Sequence, residues 1–170
     1  MMHGYVMNPQ TWGHFVKRRV GQYLFDPQKH KDSSLVVSGF WKDGLGMFKN
    51  KGSDFPGVYY QDEHTVTIYN QYSKSIVHLL VLPQKNILNL DSLGPQDVPI
   101  LLEMKKTKDL IIQHLSGPQE PKSKLNLEYK SGFHAIPSMN HLHLHIISND
   151  FLLVKNAKHY QSFNSSYLVP

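Results

Sequence analysis

His141-Leu142-His143-Leu144-His145-Ile146-Ile147 sets three imidazoles at every second position, with aliphatic side chains between them. In extended backbone successive side chains point to opposite faces. The spacing therefore predicts a strand with the histidines on one face and Leu142, Leu144 and Ile146 turned into a core. Histidine titrates nearest neutrality of all side chains, which suits it to nucleophilic attack, proton transfer or metal ligation.

Reading outward, the β-rich runs Val58 to Asp62, Thr65 to Asn70 and Val77 to Leu82 predict an antiparallel meander, its first turn at Asp62-Glu63-His64 and its end at Pro83. A further strand is expected over Leu125 to His134, joined to the histidine strand by the turn Ile136-Pro137-Ser138-Met139. From Asp97 to Leu115, Leu101, Met104, Ile111, Ile112 and Leu115 oppose Lys105, Lys106, Lys108 and Asp109. That is the pattern of a helix laid on a sheet, stopped by Gly117 and Pro118. Trp41 to Phe48 reads as a helix start or turn. Trp12, Phe15, Val16, Val20 and Tyr23 recur at helical spacing between Thr11 and Leu24, followed by a breaker and linker from Asp26-Pro27 to Ser34. Five strands, one long helix and an N-terminal helical extension make the expected fold α+β, divided into an extension over 1–34 and one domain over 35–170.

The 170 residues carry a formal net charge of +5, with Lys17-Arg18-Arg19 and the region of Lys155 and Lys158 contributing to it. A polyanionic partner and a merely solvated basic surface both accommodate this excess. Without cysteine the sequence has no disulfide framework and no thiolate metal site, and an intracellular protein is the default expectation. No apolar run approaches the ~20 residues that span a bilayer, and the N-terminus lacks the apolar core of a secretory signal. The expectation is a soluble protein without membrane association.

His-x-His on a strand also suits a small cation such as zinc, for which His134, His78 and Asp150 are further candidate ligands. A hydrogen-bonded core or surface role is the third alternative for any one of these histidines.

The run His141 to Ile147 resembles the His-φ-His-φ-His-φ-φ signature (φ apolar) of the histidine triad superfamily of nucleotide hydrolases and transferases. Its approach, Gly132-Phe133-His134-Ala135-Ile136-Pro137-Ser138-Met139, and its exit, Ser148-Asn149-Asp150-Phe151 followed by Lys155-Asn156-Ala157-Lys158-His159-Tyr160-Gln161-Ser162-Phe163-Asn164, resemble the aprataxin branch. Trp41 to Leu45 and His78-Leu79-Leu80-Val81-Leu82-Pro83 do so as well, so the resemblance covers roughly residues 40 to 165.

The resemblance implies a nuclear enzyme of DNA single-strand break repair that removes AMP from 5′-adenylated DNA left by abortive ligation, without a metal or other cofactor, and acting as a monomer. It implies His143 as the nucleophile that forms a covalent AMP-histidine intermediate. By the same resemblance His134 is the proton donor to the leaving group, His145 contacts phosphate oxygens and His141 orients its neighbours. Ser138 and Lys158 match phosphate-contacting positions, with Lys155 a further candidate. Taken alone, Ser138 is a turn residue and Lys158 a solvated tail lysine.

For the nucleoside, Leu45, Met47 and Ile68 are expected walls and equally candidate core residues. Asn70 stands where the family usually has Asp, which weakens the expected bond to a ribose hydroxyl. His78 matches a superfamily histidine near the nucleotide. Trp41 matches a wedge that stacks on the exposed base pair, with a core anchor as the other reading, while Lys17, Arg18 and Arg19 are expected on backbone phosphates. Aprataxins continue into a Cys2His2 zinc finger, and some carry a forkhead-associated domain before the catalytic core. The expectation is either a core cut from a longer chain or a member without the finger. The runner-up activity is hydrolysis of small AMP phosphoramidates or dinucleotides. A non-catalytic end-binding module and a metal-dependent hydrolase are the remaining readings.

Overall fold

The computed structural model describes residues 41–52, 55, 57–70, 72–116 and 127–170, with Trp41 described by its backbone only. The expected helix over 11–24, its linker, and Lys17, Arg18 and Arg19 lie outside the described residues. So do the helix stop at Gly117-Pro118 and the first residues of the strand expected from Leu125.

The described residues build one six-stranded antiparallel sheet from β1 (Val58–Gln61), β2 (Thr65–Tyr69), β3 (His78–Pro83), β4 (Tyr129–His134), β5 (Leu144–Ser148) and β6 (Leu168–Val169), in the order β1-β2-β3-β5-β4-β6. The β1–β2 turn forms because Asp62 Oδ1 accepts the backbone N–H groups of His64 and Thr65 at 2.8 and 2.9 Å, the local bonding that makes aspartate a turn residue.

Strand parity divides the side chains between two faces. Leu79 and Val81 of β3 and Leu144 and Ile146 of β5 join a core with Met104, Leu110 and Ile111 of the long helix α1 (Val98–Ser116). Val66, Ile68, Leu80 and Leu82 face the other way and pack with Leu45, Phe48 and Met139. A bulge between Val58 and Tyr60 shifts β1 by one residue, so that Val58 lies in the second cluster and Tyr60 in the first. Both sheet faces are covered, and each large aliphatic side chain buried here contributes about 1.5–3 kcal/mol.

The helix buries the face expected from its apolar spacing, plus one polar residue that periodicity does not predict. Thr107 is fully buried and its hydroxyl meets that of Thr65 at 2.9 Å, while Thr65 Oγ1 also donates to Asp62 Oδ2 at 3.0 Å. Trp41–Phe48 is a 3-10 helix.

Three expectations need correction. There are six strands, because Leu168–Val169 adds to the edge at Phe133 and His134; a two-residue strand has too little periodicity to read. A second helix, α2 (Ala157–Phe163), follows Asn156, whose side chain accepts the His159 N–H and caps it. Finally, the histidine strand begins at Leu144 and not at His141. His141 has φ +68°, a left-handed conformation that breaks the alternation.

Candidate active site

A cavity of about 540 Å³ opens on the sheet face away from α1, lined by Asn70, Tyr72 and Lys74 of the β2–β3 loop, His78 and Leu80 of β3, and His134, Ser138, Met139, His143, His145, His159, Ser162 and Phe163. A neighbouring cavity of about 580 Å³ shares His134, Ser138, His159 and Ser162 and adds Ile136, Pro137, Lys158, Gln161, Ser165 and Tyr167. His134 and Ser138 thus stand between two spaces, one on each side.

Register explains the convergence. β5 sets His145 opposite Leu80 of β3 on one side and Gly132 of β4 on the other. His143, two residues before His145, falls on the same face, and their ring centroids lie 5.1 Å apart. The β4 end supplies His134, whose ring centroid is 4.4 Å from that of His145. Phe163 from α2 closes the cluster, at 4.5 Å from His134, 5.1 Å from His145 and 5.3 Å from His78.

Hydrogen bonds assign the tautomers. His143 Nδ1 lies 2.7 Å from the backbone carbonyl of His141. A carbonyl only accepts, so Nδ1 carries the hydrogen and the neutral ring keeps its lone pair on Nε2. The Lys74 N–H donates to His78 Nδ1 at 3.1 Å, which leaves the hydrogen on His78 Nε2 and directs it to His145 Nδ1 at 3.0 Å. His145 Nε2 is then an N–H donor. It is buried without a hydrogen-bond partner, as are His134 Nε2 and His159 Nδ1. A buried N–H donor without a partner, beside a ring nitrogen that keeps its lone pair, fits an oxyanion at the same place.

Burial dominates the electrostatics. Desolvation pushes His134 down to about 4, reinforced by His143, His159 and Lys74. The same effect lowers His143, and lowers His145 well below the usual imidazole range. The rings are therefore neutral at pH 7, the state a nitrogen nucleophile requires. Half-buried Lys74 is lowered by desolvation and by the nearby Lys155.

The residues expected from sequence divide into groups. His134, Ser138, His143, His145, Asn70 and His78 line the first cavity, and Lys158 lines the second. His141 does not share the His143–His145 face; its ring packs against Gly46 and Lys49, and its contribution is the carbonyl that holds His143. Leu45 and Ile68 are core residues that back the cavity through Leu80 and Met139. Met47 is half-buried on the 3-10 helix. Asn70 turns its amide inward, accepting the Tyr72 N–H at 2.9 Å and placing Nδ2 3.4 Å from His78 Nδ1, the acceptor nitrogen of that ring. Lys155 lines neither cavity and acts on Lys74 through its charge. Trp41 begins the 3-10 helix, and its side chain lies outside the described residues.

Asp150 accepts the N–H groups of Ile76 and Leu152 at 3.1 Å each and the Ser148 hydroxyl, holding the strand ends together. Among the described residues no three His, Asp or Glu side chains are gathered as a metal site. Lys74, Tyr72, His159, Ser162 and Phe163 line the first cavity without a site role expected from the sequence. The signal available was Asn156, a helix cap whose recognition turns the Lys158-His159 pair toward the cavity on the first turn of α2.

The family profile described as "Scavenger mRNA decapping enzyme C-term binding" matches residues 47–160. A HIT domain-containing protein of Dictyostelium discoideum is 41% identical over 130 residues, 74% of this chain and 33% of its own length. Aprataxin of Gallus gallus is 38% identical over 145 residues, 84% of this chain and 43% of its own length. Among solved structures, an aprataxin ortholog, Hnt3, in complex with DNA superposes with a TM-score of 0.54 at 28% identity, covering 76% of this chain and 72% of that one. The chain spans between 33% and 43% of the length of the Dictyostelium relative and of the aprataxins of Danio rerio and Gallus gallus.

Proposed function

Because this chain belongs to the histidine triad family, on its aprataxin-like branch, we propose that it is a DNA 5′-adenylate hydrolase working through an AMP-histidine intermediate. The observation that carries the reading is His143: a neutral ring with Nδ1–H fixed on the His141 carbonyl and its Nε2 lone pair left for attack, in a cavity with unbonded imidazole nitrogens beside it.

In the first step His143 Nε2 attacks the α-phosphorus of the adenylate. The bond to the DNA 5′-phosphate oxygen breaks, and that oxygen takes a proton from His134. In the second step water attacks the same phosphorus, gives its proton to His134 and releases AMP with His143 restored. The His145 Nε2–H, Ser138, Lys74 and Lys158 stabilise charge on the phosphoryl oxygens. Asn70, Tyr72, Leu80, Met139 and Phe163 receive the nucleoside, and the second cavity receives the departing phosphate. DNA would be held by Lys17, Arg18, Arg19 and Trp41, consistent with a relative solved with DNA. The site of action would be the nucleus.

His134 lies too low in the free protein to donate a proton at neutral pH. A phosphate charge at about 4 Å in a half-buried setting is worth about 4 kcal/mol, or about 3 pKa units. Substrate binding therefore brings His134 close to neutrality, and the acid forms only when there is something to protonate.

The test is incubation with 5′-adenylated nicked DNA in EDTA, beside a small AMP phosphoramidate. The expected result is AMP release from the nick, reduced at least about 10³-fold by His143→Ala. Release from the phosphoramidate alone would favour a small-nucleotide hydrolase, and undiminished activity in His143→Ala would eliminate the mechanism.

A further inference from the structure

We propose that Lys49 is a positioning residue, clamping the ring and left-handed backbone of His141 so that its carbonyl holds His143 in the attacking tautomer; this rests on the reading of His143 as nucleophile.

Lys49 is only 9% exposed. An amine so enclosed needs partners, and among the described residues it pairs with no carboxylate. Its Nζ donates to the Lys85 carbonyl at 3.1 Å and lies 3.5 Å from His141 Nδ1. Burial also lowers its pKa, as expected of an ammonium without a counter-charge.

His141 is confined on its other side too. A Cβ at Gly46 would fall 2.8 Å from His141 Nε2, so the absence of a side chain there lets the imidazole lie against the 3-10 helix. The backbone next to it is tied down by the Asn140 N–H on the Lys42 carbonyl at 2.6 Å, by Asn140 Nδ2 on Asp43 at 2.7 Å and by the Leu142 N–H on the Ile87 carbonyl at 2.8 Å. A left-handed histidine persists only where surrounding contacts over-determine it. The consequence reaches the site through one atom, the His141 carbonyl, 2.7 Å from His143 Nδ1.

The ammonium imposes a state as well as a position. As a donor it requires Nδ1 of His141 to accept, so the His141 ring is neutral with its hydrogen on Nε2. Protonated His141 would turn an N–H toward the ammonium. Burial and Lys49 both disfavour that proton, while Asp43 favours it. Lys85, whose carbonyl Lys49 holds, is itself paired with Asp97 at 2.7 Å. Lys49 and Asp43 are thus the charges that act on His141.

The test is imidazole ¹H–¹⁵N NMR on the full chain, comparing wild type, Lys49→Met and Lys49→Arg, with turnover of 5′-adenylated nicked DNA measured alongside. Lys49→Met should raise the His141 titration midpoint by about one pH unit or more, reduce the Nδ1–H fraction of His143, and lower kcat about ten-fold with little change in KM. Lys49→Arg should restore all three. Should Lys49→Met fail to fold, Lys49→Gln keeps a donor for the Lys85 carbonyl and should still raise the His141 midpoint. Unchanged His141 and His143 signals in the charge-removed variant would overturn the proposal, even with an active wild type. Shifted signals in a protein that releases no AMP would instead leave the Lys49 role standing and remove the proposed function.

Discussion

At His143 two demands meet that free imidazole satisfies only part of the time: neutrality and a single tautomer. Burial supplies the first and the His141 carbonyl the second. At His134 the same burial opposes the proposed acid role in the free protein, because desolvation favours the uncharged ring. Titrating His134 by NMR with and without AMP should therefore move its midpoint up from about 4 toward neutrality. A midpoint indifferent to AMP would sink its role as the acid. His134→Ala should slow AMP release from adenylated DNA by about 10²–10⁴-fold, the usual contribution of a positioned acid.

At the scale of elements, the site depends on the sheet edge that carries His134. β6 pairs with β4 at Phe133 and His134, and it approaches so closely that a Cβ on Gly132 would fall 2.6 Å from the Val169 carbonyl oxygen. That neighbour is backbone and cannot rotate away. Gly132→Ala should therefore cost about 1–3 kcal/mol in denaturant unfolding, in the range of overpacked sites, and should also depress activity by displacing the strand next to His134. Wild-type stability in this variant would show that β6 contributes nothing to the edge. The element carrying Lys158 and His159 is α2, seven residues long and held at its start by Asn156. Short helices gain their stability from docking, here through Phe163 against His78, His134 and His145.

Over the whole molecule, His134, His141, His143, His145 and His159 all titrate below the ordinary imidazole range, with desolvation the first cause in each. The unfolded chain takes up protons near pH 6.5 while the folded chain resists them, so stability is fully present above about pH 6.5 and falls as pH drops toward 4. Thermal unfolding at pH 7.5, 6 and 5 should show a declining Tm, and a flat profile would contradict the burial of these rings. Local pattern was enough to read the meander, the long helix and the strand Leu144–Ser148, because alternation and 3.6-residue spacing are properties of adjacent positions. The quoted flanks were likewise enough to identify the family and gather His134, Ser138, His143 and Lys158 into one expectation. Folding decided what no neighbour in the sequence encodes. It turned His141 aside at φ +68°, brought Lys74 into the cavity from a loop and Lys49 against His141 from 92 residues away, and buried Leu45 and Ile68 as core. The physical reason is range. A hydrophobic period or a turn residue acts over one or two turns of chain, whereas a tautomer, a depressed pKa or a clamped ring exists only once burial and distant partners have been brought to the same place.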